Sequence, residues 1–448
     1  MNDFPIIKPF VSKGRYFVYD TYKHKILAIS VHHYMEVELL IKKGIEVYRQ
    51  LDKDARAYKD IIALLDSGYL KSGFVKKVQH PEVNFIEYLT ARCINQVVLQ
   101  VTKSCNFKCR YCISMKNARY QNEHDNVVME KEIARRSIDF LFDHSKDAHA
   151  VTVTFYGGEP LLNFGMIAYT VAYTNDKFKS KRVTYNMTTN ASLMSDEIVD
   201  FFVSHEFSLL ISLDGDAEVQ NRHRKYLYDG GDTFDTVFKN ISRLKERYPT
   251  YFSEQVRFNP VVFDDENEND VMDFFVKNEI AESAISIQSA DLNGIDYLQW
   301  LPPQDSQDST LSVGEVFKTM KEKFDTTNTI SETWHHDGPC IPAVMRLFVH
   351  PSGAFYPCEK IVSEPAFSLG HLDTGIDNDA VIKMINIGEL TQEECITCWA
   401  MRFCSMCVKE CMDADSDQWT REQKLNACAR VKENAALFLR AYVKESMC

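Results

Sequence analysis

The spacing of hydrophobic residues divides the chain into three stretches. In residues 14–30, GRYFVYDTYKHKILAIS, β-branched and aromatic residues predict two short strands around a polar turn at Thr21–His24. Residues 34–51 switch to helical spacing, with Val37, Leu40 and Ile41 followed by Val47 and Leu51. A second helical run, AYKDIIALLDSGYL, ends near Gly68. Two strands followed by helices predict a small α+β unit over residues 1–90.

From Gln96 the pattern becomes strands alternating with helices. VVLQVT, AVTVTFYGG, RVTYNMTTN and FSLLISLDG are strand-like runs ending in turn residues, and VRFNPVVF and AISIQSA follow further on. MEKEIARRSIDFLFDHS and SDEIVDFFVSHE lie between them with helical spacing. This repeat, over residues 95–320, predicts an α/β fold with a parallel sheet, curved into a barrel or doubly wound. Chemistry is then expected at the C-terminal ends of the strands. The acidic stretch FDDENEND at 263–270 reads as a solvated loop or helix cap. In residues 325–448 the alternation stops, regular apolar periodicity fades and cysteines become dense, as expected of a core organised by metal.

A chain of 448 residues exceeds one compact core, so two or three domains are expected. The net charge of −13 argues against nucleic acid as a partner, which would require a basic face. No apolar run reaches the roughly 18 residues of a membrane span, and the first residues lack a secretory pattern. A cytoplasmic location is therefore expected. In a reducing compartment the thirteen cysteines point to metal or redox chemistry rather than disulfides. Cys93 and Cys448 stand apart from the others and read as a buried small hydrophobe and a chain end.

Three cysteines, Cys105, Cys109 and Cys112, lie in CNFKCRYC directly after a predicted strand. Three thiolates can hold three irons of a [4Fe–4S] cluster and leave the fourth iron open, whereas electron carriers are fully ligated. A zinc site would need a fourth ligand. None lies in the next several residues, and His124 is the distant candidate. The spacing, with Tyr111 before the last cysteine, resembles the signature of the radical S-adenosylmethionine superfamily. Tyr156-Gly157-Gly158-Glu159-Pro160, at the end of the next strand, resembles the GGEP motif of that family. Glycines admit close backbone approach and a carboxylate offsets an ammonium. The resemblance implies that Gly157, Gly158 and Glu159 receive the methionine ammonium. It further implies that Asn190 in TTN and Ser212 in SLDG contact the cofactor, with Arg224 near its carboxylate.

The tail carries Cys340, Cys358, then CITCWAMRFCSMCVKEC with Cys395, Cys398, Cys404, Cys407 and Cys411, and finally Cys428. CxxC pairs also suit zinc. The spacings resemble the SPASM domain, which carries two auxiliary [4Fe–4S] clusters. By that resemblance Cys395, Cys398, Cys404 and Cys428 hold the second cluster. Cys340 and Cys358 belong to the first, completed by Cys407, Cys411 or both, a departure from the usual seven cysteines. The resemblance implies a partial (β/α)6 barrel, an N-terminal winged-helix-like domain and a C-terminal SPASM domain. It also implies S-adenosylmethionine, three [4Fe–4S] clusters and an electron donor such as flavodoxin or ferredoxin.

The resemblance implies action on peptides or proteins, which relatives with both parts mostly modify. The N-terminal unit resembles the PqqD-like element that captures a leader peptide as an added strand, with the strands around Tyr16–Ile29 offering the edge. The expected activity is a thioether or related crosslink in a ribosomally made precursor peptide, with Glu359 as the base that takes the thiol proton. A salt bridge with Lys360 or another neighbour is the alternative role for Glu359. Other crosslinking, epimerisation, sulfatase-maturing oxidation of cysteine or serine, and a non-enzymatic electron carrier are the competing readings. The carrier reading leaves GGEP, TTN and SLDG unexplained.

Overall fold

The computed structural model describes residues 3–112, 126–263, 267–289, 331–336, 340–361, 365–413 and 418–446. His124, Cys448 and the boundary expected at 320–325 lie outside them. The chain forms two compact units, one of Asn84–Tyr297 with Cys340–Ile382, the other of Met1–Val83, Leu298–Pro339 and Lys383–Cys448. The N- and C-terminal segments thus share a unit.

In that shared unit three antiparallel strands lie in the order β1 (Ile7–Ser12), β2 (Arg15–Asp20), β3 (Lys25–Ile29). The sequence pattern indicated only the last two. Pro9, which cannot donate to a ladder, sits in β1 opposite Val18, and β1 is an edge strand where proline is tolerated. The helical stretch expected at 34–51 is two pieces, α1 (Val31–Lys43) and α2 (Ile45–Arg49). Ser30 caps the first by accepting from His33 N at 3.3 Å, and Gly44 at φ 83° breaks the run. α3 (Arg56–Asp66) follows, burying Tyr58, Ile61 and Leu65.

Side chains alternate across the sheet. Val18 and Ile7 pack with Val37, Leu40, Tyr48 and Ile61 beneath the helices. Phe10, Phe17 and Tyr19 pack instead with Phe438, Leu439 and Val443 of the C-terminal helix, Arg421–Ser446. This 26-residue helix corrects the reading of the tail as lacking regular apolar periodicity. Its buried positions Ala427, Val431, Ala435, Phe438 and Leu439 recur at helical spacing, masked in the sequence by intervening charges.

In the other unit, β4 (Gln96–Thr102), β5 (Ala150–Gly157), β6 (Arg182–Thr189), β7 (Ser208–Ile211) and β8 (Val256–Phe258) pair in parallel in that order. α4 (Lys131–His144), α5 (Phe164–Lys177), α6 (Asp196–Ser204) and α7 (Phe234–Arg247) connect them. The α/β fold expected from the alternating pattern is present. β9 (Leu347–Val349) adds to the far side of β4 in parallel, followed antiparallel by β10 (Ala354–Tyr356), β11 (Gly370–His371) and β12 (Gly375–Ile376). Val97, Val98, Leu99 and Val101 are all buried, as a parallel strand covered on both faces requires. VRFNPVVF is split at Asn259-Pro260, and Val261–Val262 pairs with Gln288–Ser289. In the acidic stretch, Asn267 caps the helix Glu268–Lys277, accepting from Asn269 N at 3.0 Å.

Candidate active site

Parallel pairing brings the C-terminal ends of β4 to β7 to one edge of the sheet, so the segments following them become neighbours. After β4 comes the cysteine loop, and the turn after β5 is bonded to it. Gly158 N donates to Thr102 O at 3.1 Å and Glu159 N to Ser104 O at 2.9 Å. A Cβ on Gly157 would lie 2.3 Å from Thr102 O, and one on Gly158 2.3 Å from Ser104 O. The close approach that these glycines permit is to the cysteine loop.

Glu159 is buried at this junction. Its carboxylate accepts from Thr189 Oγ1 at 2.7 Å, Asn190 N at 2.7 Å and Leu161 N at 3.1 Å. Burial pushes its carboxyl up to about 7 against these donors and the charge of Arg224. The side chain thereby ties the end of β6 to the turn after β5. Asn190 continues the tie, donating to Asn106 Oδ1 at 2.9 Å and accepting from Ser192 N at 3.0 Å. Ser212 N donates to Thr189 O at 2.9 Å, and the Ser212 hydroxyl reaches Asn259 Oδ1 at 3.4 Å.

The far side of the loop is a short strand, Phe107–Cys109, paired antiparallel with Arg224–Tyr226 so that Cys109 faces Arg224. Arg224 is buried and clasps Asp214, Nε to Oδ2 at 2.9 Å and Nη2 to Oδ1 at 3.1 Å. Its Nη1 lies 3.8 Å from Cys109 Sγ, and the guanidinium stands 5.2 Å from the Tyr111 ring. The Tyr111 hydroxyl donates to Asp214, 2.6 Å from Oδ2. Asp214 also accepts from Val261 N at 3.1 Å. Asp214 was overlooked among the site residues chosen from the sequence. The signal available was an aspartate closing the SLDG strand end, ten residues before Arg224.

Tyr156 links this region to a second group of residues. Burial pushes its hydroxyl up, reinforced by the charges of Glu359, Cys112 and Cys358 and opposed by Arg346. Glu359 has a salt-bridge partner in Arg346, another neighbour of the kind that its alternative role allows. Nη1 of Arg346 donates to both carboxylate oxygens, at 2.6 and 2.9 Å. Cys340 feels the charges of the same two residues.

In the other unit Cys395, Cys398, Cys404 and Cys428 line one cavity, together with Met401, Leu425 and Val431. Cys407 and Cys411 flank a short turn, Val408–Cys411, in this unit. Among the described residues, no group of three or more His, Cys, Asp and Glu is arranged to hold a metal ion. No described helix is long and apolar enough to cross a membrane.

Residues 99–276 match the Radical SAM superfamily. This stretch, less than half of the chain, is similar to a radical SAM domain. Its sequence is 24% identical over 347 residues to the radical SAM cyclopropyl synthase TigE of Paramaledivibacter caminithermalis, covering 72% of this chain and 69% of that protein. It is also 24% identical over 334 residues to the serine-type anaerobic sulfatase-maturating enzyme of Klebsiella aerogenes, covering 67% of this chain and 76% of that enzyme. The solved structure of anSMEcpe with bound AdoMet superposes with a TM-score of 0.54 at 19% identity, over 77% of this chain and 99% of that one. That last likeness is one of fold. Radical SAM proteins are enzymes that bind S-adenosylmethionine and a [4Fe–4S] cluster, and the similarity to them marks this chain as an enzyme.

The residues present suit such a cluster. The three cysteines share one tight loop, in which Phe107 N donates to Cys105 Sγ at 3.4 Å and Cys112 N to Cys109 O at 3.1 Å. Burial pushes Cys105 up and Cys109 up to about 12. A bound metal centre is the kind of charge that converts buried thiols to thiolates.

Proposed function

We propose that the enzyme is a peptide maturase that joins a cysteine sulfur of a ribosomally made precursor peptide to a carbon of the same peptide. The observation that carries this reading is an N-terminal sheet with an open edge, in a chain whose residues 99–276 match the radical SAM superfamily. β3 is an edge strand, and edge strands accept extended peptides by main-chain pairing. A leader peptide would add alongside Lys25–Ile29. Cys105, Cys109 and Cys112 would hold the catalytic cluster and Cys395, Cys398, Cys404 and Cys428 an auxiliary one. Cys340 and Cys358 would serve a third. When bound, S-adenosylmethionine and a reduced cluster supply the 5′-deoxyadenosyl radical that removes a substrate hydrogen.

Within this reading the protein's own residues position and exchange protons. Asp214 fixes Arg224 and Tyr111, and Arg224 sets a positive charge against Cys109. Arg346 would hold Glu359 in place until the carboxylate takes the thiol proton. Tyr156, Gly157 and Gly158, with Glu159 and Asn190, hold the rim rigid while Ser212 faces the next strand end.

A sulfatase-maturase reading has equal support from sequence, since TigE and the Klebsiella enzyme match at the same identity. Mass spectrometry separates the two. The protein would be incubated anaerobically with S-adenosylmethionine, a reductant and a cysteine-rich peptide encoded beside its own gene. Loss of a hydrogen pair with the cysteine no longer alkylatable supports the thioether. A serine- or cysteine-derived aldehyde on a sulfatase peptide, with the first peptide unchanged, overturns it.

A further inference from the structure

The cavity lined by Cys395, Cys398, Cys404 and Cys428 adjoins a buried cation that the proposed reaction does not use. Lys424 is 0% exposed. Its ammonium donates to Thr391 Oγ1 at 2.5 Å and lies 3.5 Å from Cys395 Sγ. The Thr391 hydroxyl is itself 3.3 Å from that sulfur. Lys424 and Cys428 stand one turn apart on the C-terminal helix, so the helix presents the cation and a thiol together.

Among the described residues Lys424 pairs with no carboxylate; its hydrogen-bond partners are the hydroxyl and the sulfur. A buried ammonium is strongly unfavourable without an anion, and the sulfurs are what this site offers. A second observation points the same way. His336 lines the cavity, is 3% exposed, and its Nε2 has no partner among the described residues. A buried polar atom of this kind is satisfied when the cavity is filled.

We propose that Lys424 is a fixed positive charge that raises the reduction potential of the cluster bound by Cys395, Cys398, Cys404 and Cys428. This rests on the reading of those four cysteines as cluster ligands. Reduction adds an electron to a group already made anionic by its thiolates. A cation held close in apolar surroundings therefore favours the reduced form more than the oxidised one. Hydrogen bonds to ligand sulfur act in the same direction. The cluster is thereby biased toward accepting electrons, and Lys424 acts through it as a tuning residue, touching no substrate.

The test is a redox titration followed by electron paramagnetic resonance. It uses the full-length protein in a Cys105→Ala, Cys109→Ala, Cys112→Ala background, which leaves only tail signals. Lys424→Met should lower one midpoint so that the reduced-to-oxidised ratio at fixed potential falls about tenfold, which is about 59 mV for a one-electron couple. Lys424→Arg should recover most of the shift. If Lys424→Met loses iron, Lys424→Gln, which keeps an N–H for the same acceptors, isolates the charge. Full iron with unmoved midpoints in either neutral variant overturns the proposal. Iron retained in full by a Cys395→Ala, Cys398→Ala protein instead overturns the reading of the cavity as a cluster site.

Discussion

A methyl group at Gly158 would sit 2.3 Å from the backbone oxygen of Ser104. Gly158→Ala must therefore push the cysteine loop off the end of β5. Expected is loss of the iron held at Cys105, Cys109 and Cys112, with tail iron retained, read by iron and sulfide analysis beside 5′-deoxyadenosine formation. Asp214→Asn strips the counter-charge from buried Arg224. Breaking a buried pair costs about 3–5 kcal/mol, and denaturant unfolding measures it. Ser212→Ala should cost no more than about 1 kcal/mol, because its hydroxyl makes a single long hydrogen bond. These residues show what one sequence can and cannot display. Cysteine spacing and strand-end motifs are local, so the loop, GGEP and TTN stand out in the sequence. The clasp of Asp214 on Arg224 is made by chain reversal through a short helix, Ala217–His223, and nothing in the intervening residues announces it.

At the scale of elements, the N-terminal sheet is a two-sided layer, with helices on one face and the C-terminal helix on the other. Phe438 is 4% exposed in the second interface, so Phe438→Ala should destabilise this unit by about 3–5 kcal/mol, seen as an earlier thermal transition. The same packing changes how the leader-binding reading is tested. Deleting residues 1–90 would uncover Phe438, Leu439 and Val443, so truncation would confuse lost binding with lost folding. A photoreactive leader peptide should instead crosslink to Lys25–Ile29 in the intact protein, and crosslinks confined to other segments would refute that docking edge. In the α/β unit β4, β5, β6 and the helix Lys131–His144 were legible because each is long and clearly patterned. β1 was hidden by Pro9, and the C-terminal helix by its charges and by cysteines that invited a metal reading.

At the scale of the molecule, the chain leaves its first unit near Val83, re-enters it in the segment that holds Trp334 and His336, and returns again at Lys383. The cysteine cavity thus draws on segments distant in sequence, Trp334 and His336 among them. Where metal organises such a site, its removal loosens the segments that meet there. Treatment with a chelator under reducing conditions should speed proteolysis within residues 391–428 while β4 to β7 stay protected, as hydrogen exchange would also show. One consequence reaches further. The helix Arg421–Ser446 carries Lys424 and Cys428 near its start and Phe438, Leu439 and Val443 near its end. A single rod therefore has one end in the cysteine site and the other against the sheet proposed to receive the peptide. Thermodynamic linkage makes such an arrangement reciprocal. To whatever extent filling the cavity steadies the helix and favours peptide at the sheet, peptide at the sheet favours the filled cavity by the same factor.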